Sequence, residues 1–506
     1  MSEPMDLPAS EKQLPSSDRS FFGHPRGLST LFFTEMWERF SFYGLRPLLV
    51  LFMSTAIMSG GFGIPRNQAS AIVGIYAASV YLASLPGGWV ADRLLGLRRA
   101  IMIGAVLISL GHISISFSSL LHSRVPFFIG LILIVLGTGL LKPNISAIVG
   151  DLYPEGGARR DAGFSIFYMG INTGAIFGQL ITGFLGEKVG WHFGFGAAGV
   201  GMLIGLAWFA SRAKKTLGDL GTEPTRNPDP VKQRRQELII KFSLGLGLAA
   251  LVIVIVLASM GIIHLDPQAI GKNMTYVLVG VAVIYFGLIF LGGGLNSDER
   301  KRIIVIFILF IFAAIFWAAF EQAPTSLNLF AKDFTNRRLF GWEVPATWFQ
   351  VINSLFIVIL APVFAAIWLK LSSRGINLSS PAKFSLGLLF AAIGFAIMIP
   401  AAYFLVRTQG LVKVSALWLF GSYLFQTFGE LCLSPVGLSS MTKLSPRKYV
   451  GQMMGIWEMP SPAIVNQYTS VKSDLPKAIA AADAFMARAR SMSATLNKVG
   501  ITLTVK

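Results

Sequence analysis

Long apolar runs alternate with short polar breaks along nearly the whole chain. Hydropathy places runs near 27–53, 69–91, 100–121, 126–150, 162–186 and 192–211, then near 239–264 and 273–295, and finally near 303–330, 346–370, 384–406 and 414–441. Each is close to or above the roughly 20 apolar residues that a helix needs to cross a bilayer. The pattern therefore predicts an all-α polytopic membrane protein of twelve spans. Its first run is not uniformly apolar, because Glu35, Glu38, Arg39 and Arg46 lie inside it. At 100° per residue, Arg39, Phe42 and Arg46 fall within about 40° of Glu35, and Glu38 lies about 60° to the other side. A charge near the bilayer centre costs from about 2.5 to more than 10 kcal/mol, so this stripe must face a bundle interior or a wet cavity. Snorkelling to the interface suits Arg46, near one end of the run, but not Glu35 or Arg39.

Composition agrees with the pattern. Of 506 residues, 54% are apolar and 13% charged, where soluble domains carry about 25% charged residues. The net charge of +18 does not point to nucleic acid, because the basic residues sit in the loops between apolar runs. The loops carrying Arg93, Arg98 and Arg99, then Arg159 and Arg160, then Arg212 to Arg235, Arg300 to Arg302, Lys370 and Arg374, and Lys443 to Lys448 all fall on one side. Basic loops stay cytoplasmic, which predicts a cytoplasmic N-terminus. The loop at 331–345, with Lys332, Arg337 and Arg338, is the exception. The first 26 residues are polar and read as a tail without a cleaved signal. Cys432 is the single cysteine, which excludes an internal disulfide.

Three further charges lie within apolar runs. Lys142 precedes Pro143 and Asn144, where the proline removes a backbone donor and predicts a kink. Glu321 stands just before Ala323-Pro324, and Glu430 lies mid-run in Phe-Gly-Glu-Leu-Cys-Leu-Ser-Pro. The near-balance of carboxylates and cations is what a cavity of paired charges would show. A carboxyl in low dielectric favours its proton and a nearby cation opposes this, so exchange of cationic partners can move a proton. A purely structural ion-pair network is the alternative, although buried pairs rarely add net stability over apolar packing. His112 and His264 read as packing residues.

The loop Pro-Gly-Gly-Trp-Val-Ala-Asp-Arg-Leu-Leu-Gly-Leu-Arg-Arg at 86–99 resembles the signature loop of the major facilitator superfamily. That resemblance implies two six-helix halves around a midplane site, with Asp92, Arg93 and Arg98 as a cytoplasmic helix clamp. The domain plan is then a tail at 1–26, a six-helix bundle at 27–211, a basic linker at 212–238, two additional helices at 239–295, a second bundle at 296–457 and an atypical basic tail at 458–506.

Three motifs carry a closer resemblance: Glu35-x-x-Glu38-Arg39-Phe40-x-Phe42-Tyr43-Gly44, Lys142-Pro143-Asn144-Ile145-Ser146, and Phe167-Tyr168-x-x-Ile171-Asn172-x-Gly174. With Glu430 to Pro435, they make residues 20 to about 457 similar to the proton-dependent oligopeptide transporter family. The resemblance implies import of di- and tripeptides driven by protons across a bacterial inner membrane. The proton is then the coupling ion, no cofactor is needed, and the expected state is a monomer. Arg46 and Lys142 would bind the peptide carboxylate; Glu430, Asn172 and Asn353 would hold its amino end. Tyr43, Tyr81, Trp317, Ser434 and Trp457 would line the pocket. Glu35, Glu38, Arg39 and Lys142 would couple the proton, and Glu321 would form an outer gate with Arg46. Phe42 replaces a tyrosine frequent at that place in the family.

After Trp457 the pattern breaks into Glu458-Met-Pro460-Ser-Pro462 and an Ala-rich basic stretch with no further run of spanning length. This leads us to expect a second half lacking its last two helices. The alternatives are the same fold carrying nitrate or another small anion, which Glu430 disfavours, and a truncated, non-transporting membrane protein. No H-E-x-x-H, G-x-S-x-G or P-loop motif supports an enzyme.

Overall fold

The computed structural model describes residues 18–154, 157–224, 229–263, 265–292, 294–376, 378–446 and 453. The described chain is helical almost throughout. In order it runs α1 (Arg26–Ser54), α2 (Arg66–Val90), α3 (Leu97–Leu121), α4 (Arg124–Asp151), α5 (Gly157–Phe184), α6 (Trp191–Thr216), α7 (Pro230–Ser259) and α8 (Pro267–Gly292). It continues with α9 (Ser297–Phe320), α10 (Asn328–Phe334), α11 (Val351–Ser373), α12 (Ser380–Ala396), α13 (Met398–Arg407) and α14 (Leu417–Leu444). A π-helical turn links α9 to α10, and α13 continues α12, so the fourteen helices form twelve long segments. Ten of the segments are both long and apolar enough to cross a membrane. Of the remaining two, α1 carries the four buried charges, and α14 has 28 residues.

Helix ends run past the apolar runs into the basic breaks. The α7 helix starts at Pro230 rather than near 239, because proline suits the first helical turn and the Asp229 carboxylate accepts a hydrogen bond from Val231 N at 2.9 Å. At α9, the Asn296 side chain accepts from Glu299 N and the Glu299 carboxylate accepts from Asn296 N, a reciprocal capping box. The expectations for residues 458–506, including the two missing helices and the role of Trp457, lie outside the described residues, as does His264.

The chain forms two compact units. Of the described residues, one contains those up to Leu45 and from Tyr76 to Asp266; the other contains Arg46–Ile75 and those from Pro267 onward. In the first unit, α3 packs against α4 and α6 around buried Phe127, Phe195 and Phe209. The α1 and α5 helices touch backbone to backbone. A Cβ on Gly174 would strike the carbonyl of Met36, and one on Gly178 would strike that of Phe40. With Gly170 against Phe32, these make a glycine at every fourth residue of α5, the small-residue seam by which membrane helices approach closely. Only Gly87 of the Gly87-Gly88 pair is sterically required, since a Cβ there would run into the carbonyl of Gly139 on α4. That carbonyl is the one whose helical donor Pro143 removes.

Before α1, the chain folds into a short strap. Asp18 accepts hydrogen bonds from Ser20 and from Arg26 N, Arg159 donates to the carbonyl of Asp18 at 2.7 Å, and His24 Nδ1 lies 2.8 Å from the Tyr153 hydroxyl. Burial pushes the Asp18 carboxyl up, but hydrogen bonds from Ser20 and Arg26 outweigh it and leave the group below its ordinary value. Burial, helped by the positive charge of Arg159, lowers His24 below its ordinary value.

In the second unit, α14 packs against α12, α11 and α9 around Phe316, Phe384 and Tyr423. Phe286 of α8 sits between Phe307 and Phe310 of α9, with ring centroids 5.1 and 5.6 Å apart. Two minimal sheets complete this unit: β1 (Thr335–Asn336) pairs parallel with β4 (Val414–Ser415), and β2 (Arg338–Leu339) pairs antiparallel with β3 (Trp342–Glu343). Most of the large apolar side chains of α7 are exposed, as a helix bathed in lipid requires.

Candidate functional site

The α1 sequence places Glu35 and Arg39 one turn apart, and the structure joins them. Arg39 Nε donates to Glu35 Oε1 at 2.7 Å and lies 3.0 Å from Glu38 Oε2, without hydrogen-bond alignment to the latter. All three side chains are buried, Glu35 and Glu38 to 1% exposure. One guanidinium thus faces two carboxyls, and three of the four carboxyl oxygens have no hydrogen-bond partner among the described residues. Such a group balances its charge only with a further positive partner, a proton or a cation. Lys142 of α4 acts electrostatically on Glu38, and its Nζ lies 4.3 Å above the Tyr81 ring of α2. Phe42 covers the other side, its ring centroid 5.7 Å from the Arg39 guanidinium, and packs edge-on against Tyr43.

Asn172, on α5 in the same unit, is buried and donates to the Tyr168 carbonyl one turn back. Of the residues expected to form a helix clamp, Arg98 donates through its guanidinium to the Gly218 carbonyl at 2.6 Å and through its backbone N–H to that of Gly221. It therefore fastens the segment that leaves α6. Asp92 is exposed, and among the described residues neither it nor Arg93 forms an ion pair or a side-chain hydrogen bond.

By the wheel, Arg46 lies on the face of Glu35. It belongs to the second unit and pairs with Glu321, and both side chains are buried. Glu321 is the C-cap of α9, where Pro324 helps end the regular helix in a π turn. Beyond that turn, Asn328 donates to the Pro47 carbonyl at 2.9 Å, Lys332 to Thr55 at 3.3 Å, and Arg66 forks onto the Asp333 carboxylate.

The second unit also holds a carboxylate network. Asn353 of α11 donates to Glu430 Oε2 at 3.1 Å and to the Thr427 hydroxyl at 3.0 Å, and that hydroxyl donates to the Tyr423 carbonyl. Trp317 lies edge-on to Phe316 and Phe320. The Ser434 hydroxyl, one turn beyond Glu430, is buried without a hydrogen-bond partner among the described residues. Sequence reading missed Thr427, Asn328, Arg66 and Asp333. Thr427 was within reach of it, since it stands three positions before Glu430 on one helix face.

The sequence matches the POT family over residues 98–488. The chain belongs to the POT family. This is a family of transporters, not enzymes, and the POT-family chain described here is a multi-pass membrane protein. It is 49% identical to Peptide transporter YePEPT of Yersinia enterocolitica subsp. palearctica, over 87% of this chain and 86% of the relative. It is 40% identical to a Di-/tripeptide transporter of Lactococcus lactis subsp. cremoris, over 91% and 92%. Among solved structures it is similar to a peptide transporter POT in complex with sulfate, with a TM-score of 0.80 at 40% identity and covering 94% of this chain and 96% of that one. A mutant of that transporter with alafosfalin bound gives 0.81, covering 92% and 93%. The expected major facilitator architecture is thereby shown for this chain.

Proposed function

We propose that this POT-family chain is a proton-coupled symporter that imports di- and tripeptides across a bacterial cytoplasmic membrane. It works by alternating access, as a monomer with its N-terminus inside. The observation that carries the reading is the Glu35–Glu38–Arg39 group: two carboxyls and one guanidinium buried in a spanning helix. One elementary charge is left to be balanced by a proton or by Lys142. Binding of an anionic group at Lys142 removes that cation from the balance and favours uptake of a proton, so cargo and proton move together.

A peptide is a zwitterion, which requires fixed cations for one end and a fixed anion for the other. Lys142 and Arg46 take the carboxylate; Glu430, with Asn353 and Asn172, takes the amino end. Tyr43, Tyr81, Trp317 and Ser434 contribute to the lining. Arg46 is already bound by Glu321, so a peptide carboxylate must displace a buried partner before it is held there. This exchange suits a gate. The named relatives support the cargo class, and the Glu430 carboxylate opposes nitrate by charge repulsion.

The test is reconstitution of the whole chain into liposomes. Dialanine should acidify the lumen as it enters, and other alanyl peptides but not nitrate should compete. Glu38→Gln should stop uphill accumulation and leave counterflow intact. Accumulation that survives Glu38→Gln, or nitrate competing as well as peptide, refutes the proposal.

A further inference from the structure

Where α13 ends, the second unit has an open cavity of 620 Å³ bordered by the last turns of α13, the loop 408–416 and the start of α14. Its size falls within the range of small-molecule sites, roughly 300–1,000 Å³. The walls are mostly apolar and aromatic, among them Tyr403, Phe404 and Trp418, and two cations lie on them, Arg407 and Lys413. Tyr403, Phe404, Arg407 and Lys413 are all exposed.

The floor is fixed. Ala401, Leu405 and Val414 form a small buried core with Phe330, Phe334 and Trp418, and the pairing of β1 with β4 anchors the loop from below. The Gly410 N–H closes the turn onto the Leu405 carbonyl at 2.8 Å, at a positive φ that glycine tolerates without strain. The cavity is therefore preformed rather than opened by a ligand.

The charge in it is one-sided. The stretch Thr408-Gln-Gly-Leu-Val-Lys-Val-Ser-Ala416 contains no acid, and among the described residues neither Arg407 nor Lys413 has a carboxylate partner. The Arg407 guanidinium lies 4.7 Å from the centroid of the Tyr403 ring and donates to the Tyr403 hydroxyl. That contact holds the guanidinium in place and leaves the hydroxyl proton of Tyr403 to be given elsewhere. A preformed cavity at the end of a spanning segment, with two cations, a phenolic donor and aromatic walls, matches one occupant above others. A lipid brings an anionic phosphate at interface depth and acyl chains that continue along apolar side chains.

We propose that this cavity binds the headgroup of an anionic phospholipid. Arg407 and Lys413 hold the phosphate, Tyr403 donates to one of its oxygens, and the first acyl carbons lie on Phe404 and Trp418. None of these residues belongs to the peptide or proton machinery assigned above, so the proposal stands apart from the transport reading.

The test uses the whole purified chain in a neutral detergent and counts bound lipids by native mass spectrometry. Phosphatidylglycerol and phosphatidylcholine with the same acyl chains are compared, with inorganic phosphate as a third arm. Phosphatidylglycerol should bind as a discrete single adduct, and the paired substitution R407Q/K413Q should weaken it roughly tenfold or more, the scale expected for removing two cations from a headgroup. The charge-preserving pair R407K/K413R should keep most of the preference. Equal retention of the two lipids, or a phosphatidylglycerol preference that survives R407Q/K413Q, overturns the proposal. Displacement of the lipid by millimolar inorganic phosphate overturns it too, as that marks a free-anion site. If the double variant does not fold, Lys413→Gln alone, in the exposed loop, must still lower the preference severalfold.

Discussion

Replacing Arg39 with methionine leaves Glu35 and Glu38 buried without their shared cation. At an effective dielectric constant of 20, a guanidinium at 2.7 Å from one carboxylate and 3.0 Å from the other gains roughly 6 kcal/mol with each. Desolvation of three buried groups offsets much of that, so the net loss should be closer to the 3–5 kcal/mol found when one member of a buried ion pair is removed. Unfolding stabilities are about 5–15 kcal/mol, so the loss is large. For a compact unit of 150–250 residues, each kcal/mol corresponds to roughly 2–4 °C, giving a melting point lower by roughly 6–20 °C. The assay is tryptophan fluorescence during heating of the detergent-purified chain. Methionine keeps much of the apolar stem, so the comparison isolates charge. The triple variant E35Q/E38Q/R39M removes the acids as well and should recover at least half of the loss, because no uncompensated charge remains. An R39M variant that melts within 2 °C of the parent, a margin well under one such pair, would refute the reasoning. So would a triple variant no more stable than the single one, since the three charges would then not be coupled.

Two further outcomes follow from the described geometry. His24 is lowered by burial and by Arg159, so the unfolded chain binds its proton at a higher pH than the folded one. Its contribution is therefore present above about pH 6.5 and is lost as pH falls below that value; hydrogen-exchange protection of the strap around Phe21 to Arg26, corrected for the intrinsic exchange rate at each pH, should fall between pH 7 and 5, and His24→Gln should flatten that dependence. Gly87→Val drives a branched side chain into the Gly139 carbonyl and should abolish the folded, detergent-stable chain, whereas Gly88→Ala, whose Cβ would meet only Pro143 at 3.9 Å, should leave a normal elution profile by size-exclusion chromatography.

The apolar runs made the twelve segments legible, because burial in lipid is read from composition alone. The helix ends were less so. Basic residues such as Lys232, Arg234 and Arg235 continue α7 although they lower hydropathy, since lysine and arginine are good helix formers. Within the site, the Glu35–Arg39 contact followed from one turn of spacing. The wheel then placed Arg46 with them and stopped there: it reports the direction a side chain takes, not its height along the axis. Seven residues further on, roughly 10 Å up the helix, Arg46 meets Glu321, far away in sequence. Asn353 with Glu430, 77 residues apart, lies beyond any local pattern, and only the packing of α11 on α14 unites them. Arg98, expected to clamp neighbouring helices, instead meets the backbone carbonyls of Gly218 and Gly221, which no side-chain motif announces.

The seam between α1 and α5 has a mechanical consequence. Gly170, Gly174 and Gly178 let the two backbones touch on either side of the turn that bears Glu35, Glu38 and Arg39. A helix seated in this way cannot spin about its own axis, since rotation would lift Met36 and Phe40 off the glycine steps and open a gap too small for lipid to fill. Any rotation of the acidic turn must therefore carry α5 as well. The two helices are joined here as one stiff pair, and a bulky side chain on any of the three steps would displace the acids without touching one of them.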